Sequence, residues 1–160
     1  MTQSRAFPSG PSSRWVTFSL DGETYGIDVL QVQEVLRLVE VAPVPGAPAY
    51  VLGVINLRGA IVTVLDTHRR FGLTPRPSDD ATRIIIIEAK QQIVGILVDS
   101  VAEVLEIRQC AIEQAPNVGG QEKARFIHGL YSDSGEDKLL ILIDVNKLLS
   151  DSEWTELEAW

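Results

Sequence analysis

Two histidines, one cysteine and scattered carboxylates are what this chain offers for chemistry. His68 sits in "DTHRRF" and His128 in "FIHGL". A zinc site draws on three or four clustered ligands. Neither histidine has such neighbours, so both read as structural. Cys110, in "IRQCAIE", lies in no nucleophile-elbow signature and reads as a small buried hydrophobe. The glycine-rich "NVGGQEK" lacks the second spaced glycine and the Lys-Ser/Thr ending of a phosphate loop. Asp79 and Asp80 lie in a polar loop, where solvation accounts for them. Asp66 and Asp144 follow matching apolar runs and read as turn or helix caps rather than an acid/base couple. The expectation is a chain without a catalytic centre, a metal or a cofactor.

Arg58 points to recognition instead. It interrupts the apolar run "LGVINLRGAIVTVLD" (52–66), flanked by Asn56 and Gly59, so the chain turns there. The guanidinium fork suits a carboxylate or carbonyl partner. A solvated turn arginine, or one bonding nearby carbonyls, is the plainer alternative.

The elements around it repeat. "ETYGIDVLQVQEVL" (23–36) aligns with "QIVGILVDSVAEVL" (92–105), placing Gly26 over Gly95 and Glu34 over Glu103, 69 positions apart. "WVTFSL" falls on "IIIIEA" at the same offset. Gly53 then meets Gly129 at an offset of 76, and Asp66 meets Asp144 at 78. The "AP" pair recurs at Ala42-Pro43 and Ala115-Pro116. Colinear matches with a slowly growing offset mark a duplication with loop insertions. Arg58 has no counterpart: the matching turn of the second copy reads "YSDSGEDK". A residue that departs from its own repeat is not framework.

Most segments are short, rich in β-branched residues and bounded by turn residues: "WVTFSL", "RIIIIEA", "QIVGILV", "IVTVLD" and "LLILID". These read as strands, and "RIIIIE" implies burial on both faces. Asp21-Gly22 is a hairpin signal, with "AKQQ" in the equivalent place of the second copy. "IDVLQVQEVLRL" is ambiguous: Val29, Val32 and Val35 fit one helical face after a capping Asp28, or Val35 and Leu36 begin a strand. "VAPVPGAPAY" is a proline-rich loop. "GLTPRPSDDAT" (72–82) marks the join between the halves. Ser150 and Glu153 form a capping box ahead of Trp154 and Leu157, one turn apart, and predict a short C-terminal helix. The fold expected is all-β. It has two five-stranded barrels related by duplication, with short helices, no parallel sheet, and Gly26 and Gly95 on equivalent strands. Residues 1–14 read as a disordered tail, 15–150 as the folded domain and 151–160 as a terminal helix or tail.

With 160 residues the chain can build a core without staples. A single cysteine excludes an internal disulfide and fits a reducing compartment. No run approaches 18 apolar residues. A net charge of −8 without a basic stripe argues against nucleic acid.

"YGIDVLQVQEV", "PAYVLGVINLRGAIVTVLD" and "VGILVDSVAEVL" together resemble the CheW family, the coupling proteins of bacterial chemotaxis, from about Trp15 to Leu149. The resemblance implies two SH3-like barrels around a hydrophobic groove and a non-catalytic, cytoplasmic adaptor. Such an adaptor joins chemoreceptor cytoplasmic tips to the regulatory domain of a CheA-type histidine kinase. It also associates with other copies in arrays under the membrane, without inserting into it. Carried over by position, the receptor-binding residues would be Val29, Val32, Glu34, Asn56, Arg58, Ile61 and Val62. Val101 and Val104 would be further partner contacts, with core packing as their competitor. The alternative is the same domain cut from a larger signalling protein, a kinase or a receiver fusion.

Overall fold

The computed structural model describes residues 11–114, 125–132 and 139–159. Its strands are joined by tight turns that the sequence marks unevenly. Strand β1 (Ser12–Leu20) meets β2 (Glu23–Asp28) through Asp21 and Gly22, with φ of 49° and 83°. Two successive positive φ values make a type I′ hairpin, whose twist matches that of the strands. In the second repeat, β6 (Arg83–Ala89) meets β7 (Gln92–Val98) through Lys90 and Gln91, with φ of 51° and 64°. The turn type survives there without a glycine. Strands β4 (Val51–Leu57) and β5 (Ala60–Leu65) are joined the same way by Arg58 and Gly59.

The ambiguous segment after β2 divides between its two readings. Asp28 accepts a hydrogen bond from the Leu30 N–H and caps a single 3₁₀ turn, Val29–Gln31. Strand β3 (Val32–Arg37) follows at once. The strand wins because β3 finds a ladder on β6, and the β-branched Val32 and Val35 suit it better than a helix. The remaining strands are β8 (Ser100–Arg108), β9 (Ile127–Ser132) and β10 (Leu139–Ile143). Asp66 caps helix α1 (Thr67–Phe71), and Asp144 caps a 3₁₀ turn over Val145–Lys147, each by accepting a backbone N–H.

Two five-stranded sheets result, with orders β8-β1-β2-β10-β9 and β3-β6-β7-β5-β4. Replacing each strand by its repeat equivalent, five elements on, converts one order into the other. Gly26 on β2 and Gly95 on β7 accordingly hold matching central positions. The repeats are not one barrel each, however. Each sheet takes a hairpin from one repeat and three strands from the other. Residues 72–82 therefore separate the repeats in sequence but do not separate the sheets. This exchange also places one parallel pair in each sheet, β2 with β10 and β7 with β5, in otherwise antiparallel ladders. The expectation of no parallel pairing is corrected on that point. A strand that joins a foreign hairpin need not run against it, as a directly connected neighbour must.

Each sheet encloses its own apolar cluster. Ile55, Val62, Val64, Ile84 and Ile86, with Leu36, Leu57 and Leu97 against them, fill one. Trp15, Ile107, Leu140 and Leu142 fill the other. All five strands of the β3-β6-β7-β5-β4 sheet contribute to the first cluster, which is possible only if the sheet curls on itself. The largest cluster lies between the sheets, where Phe18, Leu20, Ile27, Ile85, Ile87 and Ile96 meet. Alternation along β6 sends Ile84 and Ile86 inside their barrel and Ile85 and Ile87 toward the other sheet, so "RIIIIE" is buried on both faces. Gly53 and Gly129 share another constraint. A side chain on Gly53 would overlap the Ala42 carbonyl, and a Cβ on Gly129 would lie 2.9 Å from the Glu113 carbonyl oxygen. Both carbonyls belong to isolated bridges, Ala42 with Val54 and Glu113 with Leu130. The structural partner of Ala42 is thus Glu113 rather than Ala115, which lies outside the described residues.

The C-terminal helix α2 (Asp151–Ala159) begins at the expected capping box: Ser150 Oγ accepts from Glu153 N, and Glu153 Oε1 accepts from Ser150 N at 2.8 Å. Trp154 and Leu157 then enter the cluster between the sheets. Two sequence expectations change. Ser12–Arg14 belong to β1 and pair with β8, so order begins before Trp15, while residues 1–10 lie outside the described residues. Cys110 is exposed, because it sits on a 3₁₀ turn whose apolar neighbours Ile107 and Ile112 take the inward positions. The "NVGGQEK" segment lies outside the described residues.

Candidate functional site

Arg58 and Glu34 sit at opposite edges of the same sheet, on the β4–β5 turn and on β3. Curling brings them together. Arg58 Nη1 donates to Glu34 Oε1 at 3.1 Å, and Nη2 donates to Oε2, giving a two-pronged ion pair. This hydrogen bonding holds the Glu34 carboxyl below its usual value. A β-bulge between Val32 and Glu34 aims the carboxylate there. The second repeat has the same irregularity opposite Val16 and Phe18. Asn56 shapes the turn, since its Oδ1 accepts from the Gly59 N–H at 2.9 Å.

The pair is a surface feature. The Arg58 side chain is 70% exposed and that of Glu34 30% exposed. Ile61, next to the turn on β5, is 69% exposed, and Val35 on β3 is 41% exposed. Ile61 thus stands exposed beside the turn that carries the ion pair, while Val35 is exposed on the face of β3 opposite Glu34. Val35 was absent from the expected receptor set. Its signal was the period-2 alternation of β3, which turns Val35 outward where Leu36 turns in. The same alternation corrects Val62. It follows Ile61 directly, faces the barrel interior and is 6% exposed, so its side chain is not offered to a partner. Val32 packs against the cluster between the sheets, and Val29 is half-buried on the 3₁₀ turn. On the second sheet, Val104 is exposed and Val101 packs on the central cluster. The turn matching Arg58 lies outside the described residues.

The groups with catalytic potential are otherwise engaged. His68 is buried, and its Nε2 lies 2.9 Å from Asp99 Oδ1. The other Asp99 oxygen accepts from the Asp21 N–H, so this carboxylate ties α1 to the first hairpin. His128 stacks on Trp15 with ring centroids 5.7 Å apart. Among the described residues, no group of three or more His, Cys, Asp or Glu side chains is placed to hold a metal. No described helix is long and apolar enough to cross a membrane.

Residues 14–153 match the family model described as the CheW-like domain. The chain is 37% identical to "Chemotaxis protein CheW" of Klebsiella aerogenes, over 87% of this chain and 82% of that protein. It is 34% identical to the protein of the same name from Treponema pallidum, over 89% and 85%. Among solved structures, it is similar to the scaffolding protein TtCheW from Thermoanaerobacter tengcongensis, with a TM-score of 0.78 and 36% identity. That match covers 92% of this chain and 94% of the other.

Proposed function

The chain belongs to the CheW-like domain family, and from that premise we propose that it is a non-catalytic adaptor of chemotaxis signalling. It couples the cytoplasmic tip of a chemoreceptor to the regulatory domain of a CheA-type histidine kinase in the cytoplasm. Its relatives bear the names of chemotaxis proteins, and its structural relative that of a scaffold. The observation that carries the receptor contact is the Arg58–Glu34 pair with exposed Ile61 beside its turn and exposed Val35 on the same strand as Glu34. A helical partner docks by laying apolar anchors onto such a surface. The ion pair then sets register, because a fixed fork accepts only certain geometries. Few charged anchors suit a contact that must be reversible.

The test is a pull-down of the full chain with a receptor cytoplasmic fragment and, separately, with a kinase regulatory domain. Wild type retains both. Ile61→Lys combined with Val35→Lys loses the receptor fragment while keeping its melting temperature. Binding to neither fragment by the wild type overturns the adaptor reading.

A further inference from the structure

A cleft away from the Arg58 rim lies where the two repeats meet. It has a volume of about 370 Å³, and its walls include Tyr50, Arg69, Arg70, Arg125, Phe126 and Lys147. These residues form pairs under the duplication. Tyr50 and Phe126 are 76 positions apart, the offset of the Gly53–Gly129 pair, and Arg69 and Lys147 are 78 apart, the offset of the Asp66–Asp144 pair. The backbone confirms the correspondence. Asp66 N donates to Tyr50 O at 2.8 Å, and Asp144 N donates to Phe126 O at 2.7 Å. The cleft therefore sits on the approximate twofold axis of the molecule, walled by α1 from one repeat and the Val145–Lys147 turn from the other.

Its charge runs against that of the chain. The protein carries −8 overall, yet the cleft is lined by four cations and a single carboxylate, Glu153. That carboxylate is already committed. Arg70 grips it through both terminal nitrogens, with Nη1 to Oε2 at 3.0 Å, while Arg70 Nε donates to Leu148 O. Burial alone would raise the Glu153 carboxyl. The Ser150 N–H and Arg70 outweigh burial and hold it below its usual value. Glu153 of α2 thus puts one carboxylate, already paired with Arg70, in the cleft wall. The other three cations are held loosely or not at all among the described residues. Arg69 has only a 3.6 Å contact to Asp66. Arg125 and Lys147 make no ion pair among the described residues.

We infer that this cleft is a binding site for a small polyanion bearing adjacent phosphate groups. Arg125 and Lys147, without an ion pair among the described residues, and Arg69, held to Asp66 only at 3.6 Å, together exceed what the one committed carboxylate can match. Tetrahedral phosphate oxygens accept from donors that are not coplanar, which suits two arginines and a lysine facing a cleft from different sides. A volume of this size fits a small ligand rather than a protein segment. A ligand held there would bridge both repeats and add its binding free energy to the fold.

The probe is inorganic pyrophosphate, titrated calorimetrically into the full chain at near-physiological salt. The expected result is saturable one-to-one binding, weaker for orthophosphate. Combining Arg125→Gln with Lys147→Gln should weaken it by at least about tenfold. Both side chains are exposed, so melting temperature without ligand should not change. Arg58→Ala, at the distant rim, should bind pyrophosphate like wild type. Absence of saturable binding, equal binding by the double variant, or citrate binding as tightly as pyrophosphate overturns the assignment. No receptor or kinase fragment enters the titration, so its outcome is independent of the adaptor reading.

Discussion

Arg58 already has a partner in the structure. In the free protein its guanidinium is satisfied by Glu34, so a receptor group that uses Arg58 must either displace that carboxylate or dock on the pair as a unit. Removing either side chain spoils the same arrangement. Arg58→Ala and Glu34→Ala should therefore be strongly sub-additive in receptor binding, each weakening it about ten- to a hundredfold and the double variant little more. Fragment titration of the three variants checks this; fully additive losses would mean that the residues meet different partner groups. Exposed ion pairs add little to folding, so melting temperatures should stay close to wild type. The pair also has a pH signature. The folded-state Glu34 carboxyl is lowered, so its contribution is present above the unfolded value and lost as pH falls through the folded one. The melting difference between wild type and Glu34→Gln should therefore shrink as pH is lowered from 7 toward 3.

At the scale of elements, the two equivalent hairpins make a controlled comparison. Asp21-Gly22 and Lys90-Gln91 adopt the same turn, but left-handed φ disfavours a side chain at Gln91 and costs nothing extra at Gly22. Gln91→Gly should stabilise the protein by about 0.5–1 kcal/mol, after allowing for the added freedom of glycine in the unfolded chain. Gly22→Gln should destabilise it by a similar amount, and thermal denaturation of both variants checks the pair of signs. The capping box gives a second test. Ser150 satisfies the N–H of Glu153, and Glu153 returns the bond. Ser150→Ala should cost about 1 kcal/mol, with the loss visible in thermal denaturation.

Over the whole molecule, exchange of strands between repeats makes folding indivisible. The β1–β2 hairpin finds its sheet partners, β8 and β10, only in the second half, and β3 finds β6 there. Cutting the chain within 72–82 should leave two fragments that are unfolded alone and regain β structure when mixed, as circular dichroism can follow. A native-like spectrum from either fragment by itself would contradict this. Trp154, 3% exposed between the sheets with its indole N–H on the Asn146 carbonyl, ties α2 to both. Trp154→Ala should cost about 3–5 kcal/mol in one cooperative transition.

The sequence by itself determined what local chemistry and periodicity encode. Alternation and β-branched runs marked most strands, "DG" marked a hairpin, and colinear matches at slowly growing offsets revealed the duplication that relates the two sheets. Asp66, Asp144 and Ser150 were legible as caps because a cap is satisfied within three residues. Period two already implied that Ile61 and Val62 face opposite ways, but which of them faces solvent depends on the curl of the sheet. Only the tertiary structure decided that, along with the exchange of strands and the meeting of Arg58 with Glu34. Strand pairing is a choice among partners of nearly equal local propensity. That choice is settled by which arrangement fills the two barrels and the space between them, a property of the assembled volume that no short window of sequence contains.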